Sequence, residues 1–280
     1  MVMSLQWRMQ IAVIIPAAGA SRRYTQSTQG ASGADSVVRS KLDEDLGGRP
    51  VLHRTIELFT QLDVVKTIVV AGPADDDAFD AFKLRHGDRL GFYGVTLVRG
   101  GRTHRYETVC NALAQVPSSC SHVAVHDAAR PCASGELIAR VFDAAGEHDA
   151  VIPGVAVSDT LKRVGAPLLD TKVDPLASIL GVSAAATNEV RPVEATVERA
   201  GLVGVQTPQV FRRELLVRAY AQANLDSTDD AQLVERLGER VVTVAGEPRN
   251  IKITLAGDLV IARALLGFQA PGDKPAHLKF

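Results

Sequence analysis

Residues 11–23 read IAVIIPAAGASRR, and this stretch decides the fold class. Ile11–Ile15 is an apolar run rich in isoleucine and valine, typical of a strand covered on both faces of a parallel sheet. The residues that follow are small: Pro16, Ala17, Ala18, Gly19 and Ala20. Such a turn lets backbone N–H groups approach an anion, and the two arginines after it add positive charge. The alternative is an ordinary strand-to-helix turn with exposed arginines. The stretch matches neither GxxxxGK[ST] nor GxGxxG.

Working outward, short apolar runs alternate with helical patterns. Further strands are predicted at Thr67–Val70, Val95–Val98, Val123–His126 and Ala150–Pro153. Helices are predicted over Pro50–Leu62, after the capping residue Ser134, and over the segment AQLVERLG, which follows the capping residues 227–230. This alternation predicts an α/β fold with a doubly wound, mostly parallel sheet.

Two segments interrupt the alternation. Residues 25–40 are polar and rich in glycine and serine, which predicts a flexible surface loop. Residues 164–193 show no clean period and are interpreted as an insertion or an arm. The final residues, 267–280, are expected to form a tail.

Composition excludes several classes of protein. The 280 residues are 46% hydrophobic and 22% charged, with a net charge of −1, which excludes a mainly disordered chain and argues against a nucleic-acid binder with a broad basic face. No apolar run approaches the roughly 20 residues of a membrane span. The 3 cysteines form no CxxC pair, which favours a reducing compartment. We therefore expect a cytoplasmic enzyme with neither nucleic-acid nor membrane partners.

A second polar cluster, VHDAARP at residues 125–131, follows a predicted strand. Ligands in open α/β sheets bind beyond the carboxyl ends of the strands. Asp127 there is suited to a metal or to sugar hydroxyls, and Arg130 to a phosphate; a solvated Asp–Arg pair is the alternative. His126 is expected to pack near the strand end, with a catalytic base as the alternative.

Six motifs in this order carry a family resemblance: PAAGASRR, VHDAARP, DTLKR at 159–163, QTPQ at 206–209, TDD at 228–230 and NIKIT at 250–254. With these motifs the chain resembles the 2-C-methyl-D-erythritol 4-phosphate cytidylyltransferases over residues 11–266, apart from the two segments that interrupt the alternation. The resemblance implies a single Rossmann-like domain of the nucleotide-diphospho-sugar transferase type with a protruding β arm. It also implies transfer of CMP from CTP to methylerythritol phosphate, in non-mevalonate isoprenoid biosynthesis, with release of pyrophosphate.

The resemblance also implies catalytic residues. Arg23 and Lys41 match transition-state-stabilising cations, and Arg199 and Lys252 match residues that position the substrate phosphate. Lys41 stands in a Ser-Lys-Leu context where the family has Pro-Lys-Gln, after a longer loop.

Binding residues are implied in the same way. The implied substrate-binding residues are Asp127, Arg130, Thr160, Arg199, Thr207 and Lys252. The implied nucleotide-binding residues are Pro16, Ala17, Ala18, Gly19, Ala20, Gly100, Gly101 and Thr108. The glycine pair is expected to read the cytosine edge, although its segment is one residue longer than in the family.

Cofactor and assembly are further implications. Mg²⁺ or another divalent cation is expected through the CTP phosphates, with Asp127 as a candidate ligand. Residues 160–205 are expected to form an arm that joins a homodimer and carries Arg199 to the neighbouring site. Two alternatives stay open: a cytidylyltransferase for ribitol 5-phosphate or another polyol phosphate, and a nucleotide-binding homologue without turnover.

Overall fold

The computed structural model describes residues 9–19, 21–28, 40–168 and 190–268. The strands of this part are β1 (Ile11–Pro16), β2 (Val65–Gly72), β3 (Thr96–Arg99), β4 (His122–Val125), β5 (Ala150–Ala156), β6 (Leu161–Val164), β7 (Val193–Val197), β8 (Val203–Val205), β9 (Gln209–Arg212) and β10 (Val242–Ala245). The helices are α1 (Arg22–Thr28), α2 (Val51–Glu57), α3 (Asp76–Phe92), α4 (Arg105–Leu113), α5 (Gly135–Ala145), α6 (Arg213–Tyr220), α7 (Asp230–Arg236) and α8 (Ala256–Leu265).

The main sheet has β1 near its centre. Its strands run in the order β10-β5-β9-β4-β1-β2-β3. β1 pairs in parallel with β2 and β4, and β9 is antiparallel to both β4 and β5. The prediction of a mostly parallel sheet is confirmed, and the five predicted strands appear with ends shifted by a few residues at most.

Helices cover both faces of this sheet. Ile11, Val13 and Ile15 belong to one buried core with apolar side chains of α2, α3, α5 and α8. Ala12 and Ile14 belong to the other, with side chains of α4, α6 and α7. Because successive side chains of a strand point to opposite faces, the uninterrupted apolar run of β1 serves both cores. This confirms the doubly wound arrangement.

Polar caps set several helix starts. The Ser134 hydroxyl accepts a hydrogen bond from Leu137 N at 3.0 Å, as predicted for α5. Before α7, Asp229 is the capping residue, and its carboxylate accepts from Gln232 N at 3.0 Å. α2 is shorter than predicted: it ends at Glu57 and is followed by turns, with Pro50 at the capping position.

The chain divides into two compact units: residues 1–155 with 205–280, and residues 156–204. In the second unit β6 and β7 form an antiparallel pair, with Leu161 opposite Val197. Its bounds lie close to those expected for the arm. The stretch between these strands contains residues 169–189, which lie outside the described residues.

The structure describes only parts of two segments that were predicted to be irregular. Residues 25–28 belong to helix α1 rather than to a loop, and 29–39 lie outside the described residues. The tail was predicted to begin at residue 267. The structure describes its first two residues, and the Phe268 ring lies 4.5 Å from the Arg54 guanidinium; residues 269–280 are not described. Within the described residues, every helix is too short or too polar to cross a bilayer.

Candidate active site

A cleft of about 430 Å³ opens at the carboxyl ends of β1, β3 and β4. Its walls are the turn after β1, the loop after β3 and the loop after β4, as the rule for open α/β sheets predicts. The charged side chains that line it are Arg22, Lys41, Arg102, Arg105, Asp127 and Lys252. Five cations and one carboxylate make this cleft suited to a polyanion.

The turn after β1 forms one wall through Pro16, Ala17, Ala18 and Gly19. Ala20, also predicted here, lies outside the described residues. Ser21 has a positive φ of 50°, and its buried hydroxyl makes no hydrogen bond to the part of the chain that the structure describes. A strained backbone and an unpartnered polar atom are features that a bound ligand explains. The turn therefore offers a hydroxyl to an anion.

The two arginines after this turn differ in position. Arg22 lines the cleft, and Arg23, the residue predicted from the resemblance, is not among its lining residues. Both are exposed at the start of α1. The charge of Arg23 nevertheless lowers the pKa of Lys41, so it acts on the same region. Arg22 was therefore not predicted as a site residue, although the two neighbouring arginines were noted in the sequence.

Lys41 enters the cleft from the turn before α2. Its ammonium donates to the Ile253 carbonyl at 2.7 Å. The neighbouring Leu42 is buried and holds this turn on the core. Burial, and then the positive charges of Lys252 and Arg23, lower the pKa of Lys41 to about 8. This cation lies among like charges, where an incoming phosphate would be stabilised.

Asp127 contacts two cations, Lys252 and Arg130. Its Oδ2 lies 2.9 Å from the Lys252 ammonium and 3.1 Å from Arg130 Nε. Burial alone would raise its pKa, but Lys252, Arg105 and Arg130 outweigh it, so the pKa of Asp127 is lowered and the group stays ionised at neutral pH. Arg130 contacts this carboxylate without lining the cleft.

Behind Asp127 lies a buried hydrogen-bond chain. His126 Nε2 lies 3.0 Å from the Arg130 carbonyl, an acceptor, so this nitrogen carries the proton. His126 Nδ1 therefore accepts a hydrogen bond from the Thr207 hydroxyl at 3.2 Å. The oxygen of that hydroxyl accepts a second hydrogen bond, from Asp127 N, at 3.0 Å. Burial lowers the pKa of His126 to about 4, so the ring is neutral at neutral pH. His126 thus packs as expected, and Thr207 supports Asp127 without lining the cleft.

The NIKIT segment places Lys252 between two anchored neighbours. The Asn250 side chain donates to the Thr207 carbonyl at 2.9 Å, and its backbone carbonyl accepts from Arg130 at 2.7 Å. The Ile253 amide donates to the Ala129 carbonyl at 2.8 Å. Asn250 and Ile253 are fully buried, which leaves Lys252 directed to the cleft.

The loop after β3 is more tightly packed than the sequence indicated. A Cβ on Gly100 would lie 2.6 Å from the Gly72 carbonyl oxygen, so only glycine fits. The Gly100 amide donates to that oxygen at 2.8 Å, and the Gly101 amide donates to the Thr108 hydroxyl at 3.0 Å. Gly101 and Thr108 line the cleft, and Gly100 does not. Both glycine amides are therefore already engaged in hydrogen bonds within this loop, one of them to the Thr108 hydroxyl.

Arg105 is a cleft residue that sequence reasoning missed. Its guanidinium makes a bidentate pair with the fully buried Asp230, at 3.0 and 2.7 Å. The Tyr220 hydroxyl donates to the same carboxylate. The pair joins α4 to α7 across 125 residues of sequence.

Two predicted substrate residues belong to the other compact unit. Thr160 and Arg199 are both exposed in residues 156–204. The Arg199 guanidinium contacts the Ser158 carbonyl. Neither lies among the residues that line the cleft of the first unit.

Metal binding through protein ligands alone is not supported by the described residues. They contain no group of three or more His, Cys, Asp or Glu side chains arranged around a common point. Asp127 is the only carboxylate that lines the cleft within the described chain, and one of its oxygens is taken by Lys252 and Arg130. This fits Mg²⁺, which commonly binds through substrate phosphates with one or two carboxylates.

Comparison with solved structures gives the same architecture. The 2-C-methyl-D-erythritol 4-phosphate cytidylyltransferase of Thermus thermophilus is 30% identical, with a TM-score of 0.64 over 92% of this chain and 100% of that one. The 4-diphosphocytidyl-2C-methyl-D-erythritol synthase of Anaerococcus prevotii is 27% identical, with a TM-score of 0.66 over 92% and 99% of the two chains.

Sequence relatives carry the same name. The 2-C-methyl-D-erythritol 4-phosphate cytidylyltransferase of Solibacter usitatus is 37% identical over 94% of this chain and 98% of its own length. That of Frankia casuarinae is 40% identical over 94% of this chain and 84% of its own length. The family model of this description matches residues 11–182 and 176–267. The chain therefore belongs to the 2-C-methyl-D-erythritol 4-phosphate cytidylyltransferase family.

Proposed function

We propose that this chain transfers CMP from CTP to 2-C-methyl-D-erythritol 4-phosphate, giving 4-diphosphocytidyl-2-C-methyl-D-erythritol and pyrophosphate. The observation that carries the proposal is the cationic cleft, in which Lys41 and Lys252 converge from positions 211 residues apart in a chain of this family. Two phosphate-bearing substrates repel each other, and converging cations remove that barrier.

The reaction needs positioning more than covalent catalysis. A phosphate oxygen of the methylerythritol phosphate attacks the α-phosphorus of CTP. A P–O bond forms there, and the bond between the α-phosphorus and the bridging oxygen breaks, so pyrophosphate leaves with that electron pair. Arg22 and Arg23, which follow the turn after β1, and Lys41, which enters the cleft from the turn before α2, are assigned to the triphosphate. Their charge stabilises the oxygens that gain negative charge.

Lys252 is assigned to the attacking phosphate. Asp127 holds its ammonium at 2.9 Å, which fixes a flexible side chain before the substrate arrives. The free lone pairs of that carboxylate are available to the hydroxyl groups of the polyol. Thr207 and Arg130 support Asp127 from behind, so their role is to orient this carboxylate.

A divalent cation completes the proposal. Mg²⁺ would be held by oxygens of the CTP phosphates, with Asp127 as the candidate protein ligand, and would neutralise charge on the leaving pyrophosphate.

The arm is proposed to complete a homodimer. In this assembly the unit of residues 156–204 contributes Arg199, and Thr160, to the site of the partner subunit. The exposure of both side chains supports the proposal, because each is available for such a contact. A cytoplasmic location is also proposed. It is supported by Cys110, Cys120 and Cys132, which are free thiols.

The experiment is a pyrophosphate-release assay on the purified chain with CTP and Mg²⁺. Methylerythritol phosphate should give turnover, and ribitol 5-phosphate should give far slower turnover. Equal or reversed rates would favour a cytidylyltransferase for another polyol phosphate. Binding of CTP without release from any polyol phosphate in the panel would show a nucleotide-binding homologue without turnover.

A further inference from the structure

A buried histidine pair connects the turn that carries Lys41 to two helices. His53 of α2 and His86 of α3 are 7% and 2% exposed, and their rings lie 5.1 Å apart in a T-shaped arrangement. His53 Nε2 lies 3.0 Å from His86 Nδ1, and His86 Nε2 lies 2.9 Å from Asp43 Oδ1. Asp43 is two residues after Lys41 in the chain.

The direction of these hydrogen bonds follows from their end point. The Asp43 carboxylate only accepts when ionised, so His86 Nε2 carries the proton and donates. His86 Nδ1 is then an acceptor, and His53 Nε2 donates to it. Burial lowers the pKa of His53 to about 4, which keeps that ring neutral at neutral pH and compatible with this assignment.

Other side chains anchor the turn further from Lys41: Arg54 Nε donates to the Leu46 carbonyl at 2.9 Å, and the Arg263 guanidinium donates to the Asp45 carbonyl at 2.8 Å. The backbone of the turn is tied to the start of α2, since Leu52 N donates to the Leu42 carbonyl at 3.2 Å. Asp43 makes one additional ion pair, to Arg85 at 3.4 Å, and Arg85 is half exposed on the outer surface of α3. The buried link to His86 is therefore the stronger restraint on Asp43.

We propose that the Asp43–His86–His53 chain positions Lys41, by fixing the 41–46 turn on α2 and α3 so that the ammonium stays in the cleft. His86 and His53 are positioning residues under this proposal, because they act through Asp43 and the turn. The catalytic consequence rests on the proposed function. The consequence for the placement of Lys41 does not depend on it.

The test compares five proteins: the wild type, His86→Ala, His86→Gln, Asp43→Ala and Arg85→Ala. His86→Ala breaks the link to Asp43, and His86→Gln keeps a side-chain N–H that can donate to it. Arg85→Ala removes the exposed partner of the same carboxylate and is the matched control. Asp43→Ala breaks the link from the turn and creates no cavity in α3, which keeps the test valid if His86→Ala fails to fold.

Two readouts separate positioning from general destabilisation. The first is kcat and KM for CTP and methylerythritol phosphate. His86→Ala and Asp43→Ala should lower kcat about 10- to 100-fold, the range expected for a misplaced catalytic group, with a smaller change in KM. His86→Gln should recover most of the loss, and Arg85→Ala should match the wild type.

The second readout needs no substrate. NMR titration of ¹³C-dimethylated Lys41 gives its pKa directly, and this value should rise from about 8 towards 10.5 when the link is broken. The proposal would be overturned if folded His86→Ala or Asp43→Ala kept both the wild-type pKa of Lys41 and the wild-type kcat. It would also be overturned if His86→Gln did not differ from His86→Ala. An inactive wild type would overturn the proposed function, and the Lys41 titration would still decide the positioning.

Discussion

Lys41 shows how one side chain combines function with a cost in stability. Burial and neighbouring cations lower its pKa to about 8 from the ordinary 10.5. The unfolded chain therefore binds more protons than the folded chain between these two values. The free energy of unfolding consequently rises with pH across that window, so the protonated lysine destabilises the fold at neutral pH. The same proton is the charge that a triphosphate requires.

The pH dependence of turnover tests this role. Because the protonated form predominates below about pH 8, kcat/KM for CTP should fall as the pH rises through that value. In Lys41→Arg the guanidinium stays charged, so its profile should remain flat there, on a lower plateau. If kcat/KM for CTP fell in the same way at alkaline pH in the wild type and in Lys41→Arg, the titrating group would not be Lys41.

Ser21 is the second residue whose local state indicates a ligand. Ser21→Ala removes the unpartnered hydroxyl and should raise KM for CTP about 5- to 20-fold, as expected for a lost hydrogen bond to a charged group. Ser21→Gly removes the same hydroxyl and also relieves the positive φ of 50°. It should raise KM equally while increasing Tm. Unchanged KM in both variants would show that the hydroxyl does not contact CTP.

At the scale of elements, the contact between α4 and α7 combines stability with placement of the cleft wall. Burial and the Asp230 carboxylate raise the pKa of Tyr220, so its hydroxyl remains a donor. Tyr220→Phe should lower the free energy of unfolding by about 1.5–3 kcal/mol in urea titrations, because a buried charged acceptor loses a partner.

Tyr93 provides the matched control for this prediction. Its hydroxyl also donates to a carboxylate, that of Glu57, at a half-exposed position. Tyr93→Phe should cost less than about 1 kcal/mol. If the two variants lost the same free energy of unfolding, burial of the hydrogen bond between Tyr220 and Asp230 would add nothing to its contribution to stability.

The arm gives the second prediction at this scale. Arg199→Ala should abolish most turnover if the arm completes the partner's site. Mixed heterodimers of Arg199→Ala with Lys41→Ala should regain activity, because one of the two sites then holds both intact residues. If verified heterodimers do not recover activity, Arg199 does not act in the site of the partner subunit.

For the whole molecule, local sequence patterns were informative where one element supplies several site residues. The apolar run of β1 and the small residues after it predicted both the sheet and the cleft wall. VHDAARP likewise predicted the position of Asp127. Lys41 was found only through the family resemblance, since nothing in its local sequence marks it.

Contacts between distant segments were beyond local reasoning. His53 and His86 are 33 residues apart and show no metal-ligand spacing, and Arg105 meets Asp230 across 125 residues. Only the tertiary fold brings such pairs together. At the start of α1, Arg22 lines the cleft and Arg23 does not, a difference that the arginine pair in the sequence does not reveal.

We propose that cations from separate parts of the chain act on one pair of phosphates. The single-turnover rate of CMP transfer to methylerythritol phosphate tests it in Lys41→Ala, Lys252→Ala and the double variant. Each single substitution should lower the rate at least about 10²-fold, and the double variant should lose less than the product of the two, because both act on one transition state. A near-wild-type rate in either folded single variant would contradict the account.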